Sequence, residues 1–163
     1  VGGSIYGRFG FSDVLTAFLA MDTFVELYNG GTVRLSDFVN RKQDKDLLLS
    51  VIVRKGKRQF RYESIRQTQT DFPVLACATV TGICHGQETW YFSIGARPMK
   101  AALLEKKWEI PRDASEERIR EYAQEVASSF TYGTNMRGSA EYRQHLAEVL
   151  VRREISSILA EER

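Results

Sequence analysis

The sequence predicts an α+β protein in which an antiparallel sheet packs against helices. Two observations predict this class. Strand-like apolar segments separated by turns fill most of residues 23–94, and amphipathic helical patterns fill most of residues 99–161. The chain has 163 residues, of which 43% are hydrophobic and 27% are charged. This composition is typical of globular proteins, and the length suits one large or two small domains.

The first third of the chain is predicted to contain one helix and three strands. Apolar residues repeat at helical spacing from Val14 to Met21, and Ser12 is well placed to cap that helix. A glycine-containing turn at residues 29–31 separates two strand-like runs and indicates a hairpin. The predicted elements are a helix at 14–21, strands at 23–28 and 32–35, a short helical turn at 36–40 and a buried strand at 47–53.

A basic turn at residues 55–58 marks the predicted boundary between a first domain, residues 1–54, and a second domain, residues 55–163. Its Lys-Gly-Lys-Arg sequence favours a solvated hairpin tip, with a polyanion site as the alternative. Beyond the turn, Trp90, Phe92 and Ile94 share one face of a predicted strand. Strands are predicted at 59–65, 74–83 and 88–94, the last two as a long hairpin.

The rest of the chain is predicted to be helical. Asp113 followed by Glu116 is typical of a capping box at a helix start. The predicted helices span 99–106, 115–131 and 139–161. Two apolar stripes predict the buried faces of the last two helices: Ile119, Tyr122, Ala123, Val126 and Phe130 on one, and Tyr142, Leu146, Val149, Leu150 and Leu159 on the other.

Charge and motif content argue against several functions. The net charge is 23 − 21 = +2, without an aromatic–basic stripe, so no nucleic-acid partner is expected. No apolar run approaches the roughly 20 residues of a membrane span, so no membrane partner is expected either. Cys77 and Cys84 lie on opposite faces of one strand-like segment, and we expect both to be reduced, buried and free of metal. Neither His85 nor His145 has a nucleophile at a recognisable spacing.

The adjacent Gly2 and Gly3 are the most informative local feature. Two residues without side chains let backbone N–H groups approach a phosphate closely. Asp13, at the start of the first predicted helix, could then accept a hydrogen bond from a sugar or ribityl hydroxyl. The alternatives are a plain turn for the glycines and, for Asp13, a carboxylate that the helix dipole favours.

Four motifs occur in a fixed order along the chain. Residues 2–14 read GGSIYGRFGFSDV, residues 46–53 read DLLLSVIV, residues 94–101 read IGARPMKA, and residues 137–143 read RGSAEYR. In this order they resemble the FAD-binding subunit of the molybdenum hydroxylases, the family of xanthine dehydrogenase and carbon monoxide dehydrogenase. The last motif is the most specific of the four.

The resemblance implies a fold, a cofactor and a set of contacts. The fold would be the end of an FAD-binding lobe followed by a C-terminal domain of antiparallel sheet packed with helices. Gly2, Gly3 and Ser4 would donate to the FAD pyrophosphate, Asp13 would bind a ribityl or nearby sugar hydroxyl, and Leu49 would border the flavin. The residues assigned to the cofactor are Val1, Gly2, Gly3, Ser4, Ser12, Asp13 and Leu49.

The resemblance also implies a function and partners. The chain would be part of an electron-transfer subunit that passes electrons from iron–sulfur clusters through FAD to NAD or another acceptor. Its partners would be an iron–sulfur subunit, a molybdopterin subunit and the N-terminal lobe of its own subunit, in the cytoplasm. The family's first glycine-rich flavin motif has no counterpart here, so we expect a C-terminal fragment that binds FAD poorly alone.

Three departures from the family pattern support an alternative function. Ser4 stands where the family has Asn, Ser64 stands where it often has Lys, and residues 6–11 lack the usual small, proline-containing loop. The alternative is a flavin-free scaffold or assembly module that keeps the C-terminal fold.

Overall fold

The computed structural model describes residues 1–42, 45–84 and 86–161, apart from the side chain of Cys84. The described residues form two antiparallel sheets flanked by helices. The first sheet has the strand order β2-β1-β3 and the second the order β4-β5-β6-β7. The predicted α+β class with antiparallel strands is therefore confirmed. The expectations for His85 and for the side chain of Cys84 lie outside the described residues.

The N-terminal part folds much as its sequence pattern predicts. Ser12 caps α2, because its Oγ accepts from the backbone N–H of Leu15 at 3.1 Å. The β1–β2 hairpin pairs Leu27 with Gly31 across the predicted turn. The elements are α1 (Gly2–Tyr6), α2 (Asp13–Ala20), β1 (Thr23–Leu27), β2 (Gly31–Arg34), α3 (Leu35–Asn40) and β3 (Leu48–Val53).

The strand β3 is not buried, and that prediction was wrong. Leu49 is 55% exposed, and Ile52 and Val53 are also exposed. The reason is topological: β3 is the edge strand of its sheet and pairs on one side only, with β1. A continuous apolar run is typical of a strand whose two faces are both buried, but the described residues bury the side chains of β3 only in part.

The second sheet contains the predicted long hairpin. Trp90, Phe92 and Ile94 are fully buried on one face of β6, as their spacing predicts, and they pack against two long helices. In chain order the elements are β4 (Arg58–Ile65), β5 (Leu75–Cys84), β6 (Gln87–Gly95), β7 (Ala102–Lys106), α4 (Glu116–Ser128) and α5 (Ala140–Glu161). Because α2 packs against both β1 and the β5–β6 hairpin, the domain boundary near residue 54 stays a prediction.

The helix predicted at residues 99–106 is wrong, because residues 102–106 form the edge strand β7. Ala and Leu favour a helix locally, but the open edge of β6 offers a full ladder, in which Leu104 pairs with Phe92. The alternation of a strand then turns Leu104 and Leu103 to opposite faces. Leu104 packs in the main core, and Leu103 packs against the N-terminal cluster.

Two further details of the helices differ from prediction. The N-cap of α4 is Ser115, whose Oγ accepts from Arg118 N–H at 3.3 Å, and not Asp113. The buried face of α5 includes polar residues that an apolar stripe cannot indicate, namely Arg143 and Glu154, both 0% exposed. Tyr142, which was predicted on that face, is 48% exposed. No helix in the described ranges is long and apolar enough to cross a membrane.

Candidate functional site

The Gly-Gly motif forms the first turn of α1 instead of an extended loop. The first intrahelical hydrogen bonds run from Ile5 N–H to Val1 C=O and from Gly7 N–H to Gly3 C=O. The N–H groups of Gly2, Gly3 and Ser4 therefore have no acceptor within the helix. A Cβ on Gly3 would meet nothing within 4 Å. Gly2 and Gly3 are exposed and Ser4 is partly exposed, so an anion could approach this turn, and the phosphate contact stays a prediction.

A cavity of about 440 Å³ lies beside this turn. This volume lies within the range of roughly 300–1,000 Å³ that is typical of small-molecule sites. Asp46, on its rim, holds the β1–β2 turn, because its carboxylate accepts from the backbone N–H groups of Asn29 and Gly30 at 2.9 and 2.7 Å. Its lining residues are Gly2, Gly3, Tyr6, Asp46, Leu47 and Leu48.

Val1 and Leu49 are both exposed near these elements. Val1 is 69% exposed and occupies the N-cap position of α1 without a capping side chain. Leu49 lies on the edge strand β3, directly after the Leu48 that lines the cavity. An exposed leucine here is available to contact a ligand or another part of the protein, so its predicted flavin contact stays a prediction.

Ser12 and Asp13 have defined structural roles. Ser12 is nearly buried, and its hydroxyl is used as the cap of α2. Asp13 accepts from the Tyr62 hydroxyl at 2.5 Å through Oδ1 and pairs with the Arg66 guanidinium at 2.7 Å through Oδ2. Its side chain remains 39% exposed, so one edge of the carboxylate still faces solvent. Both carboxylate oxygens thus already have protein partners, but the carboxylate is still accessible to the predicted sugar or ribityl hydroxyl.

The electrostatics of this cluster follow from burial and from the Asp13 charge. The phenol of Tyr62 is largely buried and donates to Asp13, and both effects raise its pKa well above the usual value. The hydrogen bond with Asp13 raises the pKa of Arg66. Arg66 also donates to the backbone C=O of Asp71 at 2.8 Å, which connects the cluster to the next loop.

The RGSAEYR motif organises loops in the fold. Arg143 is fully buried, and its guanidinium donates to the backbone carbonyls of Val74, Gly133 and Gly138 and to the Asn135 side chain. Arg137, at the start of the motif, forms an ion pair with Asp71 at 3.1 Å. Asp71 is therefore a structural carboxylate, which also accepts from the backbone N–H of Phe72 at 2.7 Å. The geometry accounts for the specificity of the motif, because one planar guanidinium donates to four acceptors on two segments, Val74 and the loop at residues 133–138.

The sequence analysis did not identify two features of this region, the residues that hold Asp13 and a cluster of aromatic rings. Tyr62 and Arg66 hold Asp13, although Tyr62 lies 49 residues away along the chain. Phe9, Phe11 and Phe72 form an exposed aromatic cluster, although isolated phenylalanines carry no such signal. Only the atypical 6–11 loop could have drawn attention to it. Within the described residues, no group of His, Cys, Asp and Glu has the arrangement of a metal site.

Comparison with protein families decides the relationship. The profile of the CO dehydrogenase flavoprotein C-terminal domain matches residues 60–158, more than half of the chain. The chain belongs to this family. The resemblance drawn from the four motifs is thereby confirmed, and the matched range runs from the third residue of β4 into the last turn of α5. No curated protein matches the sequence.

Solved structures show the same fold for this CO dehydrogenase flavoprotein domain. Quinoline 2-oxidoreductase from Pseudomonas putida 86 is 14% identical, with a TM-score of 0.77 over 98% of this chain and 60% of that chain. The Cu,Mo-CO dehydrogenase is 18% identical, with the same TM-score and coverage. The carbon monoxide dehydrogenase from Hydrogenophaga pseudoflava is 17% identical, with a TM-score of 0.73 over 93% of this chain and 57% of that one. The chain thus spans about 60% of the chains of the first two.

Membership in this flavoprotein family implies FAD as the cofactor. The residues present fit part of such a ligand. The open first-turn donors of α1 suit a phosphate, and the cavity beside them has the size of a small-molecule site. The partly exposed Asp13 oxygens suit a hydroxyl donor.

Proposed function

We propose that this chain is the C-terminal part of the FAD-binding electron-transfer subunit of a molybdenum hydroxylase, of the xanthine dehydrogenase or carbon monoxide dehydrogenase type. The family match over residues 60–158 is the observation that carries the proposal. The open N–H groups of the α1 turn support it further, because they lie outside the matched range and still suit the same cofactor.

The residues of this chain would hold FAD at two points. The backbone N–H groups of Gly2, Gly3 and Ser4 would donate to the pyrophosphate, which the absence of glycine side chains allows to come close. Asp13, held in place by Tyr62 and Arg66, would accept from a hydroxyl of the ribityl chain. When bound, FAD supplies the exchange of electrons between one-electron and two-electron carriers.

The partners follow from this role. We propose that the chain works with an iron–sulfur subunit and a molybdopterin subunit, with NAD or another compound as the final acceptor. The N-terminal lobe of the same subunit would complete the flavin site and cover the exposed leucines of β3. A cytoplasmic location is part of the proposal, and the free, buried thiol of Cys77 agrees with it.

A flavin assay tests the proposal. The gene product that contains this chain is purified and denatured, and the supernatant is assayed for released FAD. We expect stoichiometric FAD from the complete gene product and much less from residues 1–163 alone. No flavin in either preparation would contradict an electron-transfer role.

One observation favours a flavin-free scaffold as a second candidate. Both carboxylate oxygens of Asp13 already have protein partners, which a purely structural site would also show. The scaffold would retain the Arg143 network and the main core without needing a ligand. The same flavin assay separates the two, because a scaffold would copurify with partner subunits but without FAD.

A further inference from the structure

Three phenylalanine rings form an exposed cluster on the loops around Asp13. Phe9, Phe11 and Phe72 are 53%, 43% and 49% exposed. The rings of Phe9 and Phe11 are almost parallel, at 4° with their centroids 5.4 Å apart, and the ring of Phe72 lies 4.2 Å from that of Phe11. The Arg137 guanidinium also packs over Phe72, 5.6 Å from the ring centroid. We call these three rings the phenylalanine cluster.

The loop that carries two of these rings is fixed by its backbone. Gly10 C=O accepts from Ala96 N–H at 2.6 Å, and a Cβ on Gly10 would lie 2.6 Å from the C=O of Met99. A Cβ on Gly7 would lie 2.3 Å from the ring of Phe9. Glycine is therefore required at Gly10, where the near atoms are backbone, whereas a side chain at Gly7 would displace the Phe9 ring. The rings are held in place by close packing although they are open to solvent.

The contacts of Arg8 also fix this loop. Arg8 has a positive φ of 50°, and its guanidinium stacks 4.0 Å from the ring of Phe38 and donates to the Arg41 C=O. Arg8 is 5% exposed and adopts the left-handed backbone conformation, so the loop has a defined, strained conformation while two of its phenylalanines stay exposed. An ordered aromatic surface of this kind is typical of a ligand contact.

The loops that carry the phenylalanine cluster are connected to both predicted FAD contacts. On one side, Gly7, which touches the Phe9 ring, donates its N–H to Gly3 in the α1 turn. On the other side, Phe11 precedes Asp13 by two residues. Arg66 joins Asp13 to the backbone of Asp71, directly before Phe72. Arg66 thus connects the Asp13 carboxylate to the loop that carries Phe72.

We propose that the phenylalanine cluster stacks against the isoalloxazine ring of FAD. The proposal rests on the proposed function, in which Asp13 binds a ribityl hydroxyl. The ring is bonded directly to the ribityl chain, so its contact surface must lie beside the acceptor of that hydroxyl. The adenine lies beyond the pyrophosphate, at the far end of the cofactor. The Phe9 and Phe11 rings are nearly parallel, which is the geometry that stacking with a further ring continues, and the Phe72 ring is tilted by 38° against Phe11.

Ligand binding to the complete gene product tests the proposal, with FAD and ADP as two probes. Phe11→Leu keeps an apolar side chain but removes the aromatic face, and Phe11→Tyr is the matched control that keeps it. We expect Phe11→Leu to weaken FAD binding by about twofold to tenfold and to change the visible circular dichroism of bound FAD. We expect Phe11→Tyr to retain both properties, and neither variant to alter the Kd of ADP. Phe72→Leu, on a separate loop, repeats the test if Phe11→Leu fails to fold.

The possible results separate this inference from the proposed function. Unchanged FAD affinity and circular dichroism in both leucine variants would overturn the stacking contact while the proposed function stands. Equal weakening of FAD and ADP would overturn it as well, because the adenine would then occupy the cluster. Absence of FAD binding in the wild-type gene product would instead remove the proposed function and this inference together.

Discussion

Replacing Glu154 by glutamine is expected to remove most of the pH dependence of stability between about pH 4.5 and pH 8. Glu154 is fully buried in α5, where its Oε2 accepts from the Thr79 hydroxyl at 2.5 Å and its carboxyl also contacts the Cys77 thiol. Burial raises the pKa of this carboxyl from 4.5 to about 8. The folded protein therefore keeps a proton that the unfolded chain releases.

The sign and size of the effect follow from that difference. Between the two pKa values the folded state binds more protons than the unfolded state, so stability falls as the pH rises. Below the unfolded pKa of 4.5 the contribution of Glu154 is fully present, and above the folded pKa of about 8 its loss is complete. A shift of this size corresponds to a loss of about 5 kcal/mol as an upper limit. Burial also raises the pKa of the Cys77 thiol, so that neighbour stays neutral throughout the window.

Chemical denaturation at a series of pH values measures the effect. The free energy of unfolding of the wild type is expected to fall from pH 5 towards about pH 8, and that of Glu154→Gln to stay much flatter. Glu161→Gln is the matched control, because Glu161 lies on the same helix with a side chain that is 64% exposed. Glutamine also alters the Thr79 contact, but that offset is independent of pH. Equal pH slopes in wild type and Glu154→Gln would refute the reasoning.

Three further changes test the site and its supports. Arg143→Lys removes most of a buried guanidinium network and should cost about 3 kcal/mol of unfolding free energy, measured by urea denaturation. Asp13→Asn removes the charge that raises the pKa of Tyr62, so an ultraviolet absorbance titration should show that phenol titrating at lower pH than in the wild type. Gly3→Ala adds a methyl group that meets no protein atom within 4 Å, so it should weaken FAD binding by the complete gene product but leave thermal stability nearly unchanged. A stable Arg143→Lys protein, an unmoved Tyr62 titration or an unaltered FAD Kd would each contradict the corresponding contact.

Local patterns predicted the parts of the fold that local physics decides. The Ser12 cap, the β1–β2 hairpin and the apolar stripe of α4 depend on residues a few positions apart, and all three are present. Residues 102–106 were predicted as a helix because the sequence of that segment alone does not show that β6 has a free edge with which it can pair. The exposure of β3 also depends on which strands lie beside it in the sheet, and the sequence of β3 does not predict its neighbours.

The candidate site was predictable only where a motif spans adjacent residues. Gly2, Gly3 and Asp13 lie in one short motif, and the structure gives them open donors and an accessible carboxylate. Tyr62 and Arg66 reach Asp13 from β4 and the residue after it, through side-chain geometry that no spacing encodes. Ser64 stands where the family often has a lysine, but the cation that contacts Asp13 is Arg66, two residues further along.

The Arg143 network limits what the most recognisable stretch of this chain can reveal about other proteins. Its guanidinium donates to three carbonyl oxygens on two segments of backbone, and within the described part of the chain none of these hydrogen bonds involves the residues proposed to bind FAD. A descendant that had lost its cofactor would still need this arginine in order to fold. The letters RGSAEYR therefore report ancestry and architecture, whereas redox competence in a related sequence must be judged from the stretch equivalent to residues 2–13.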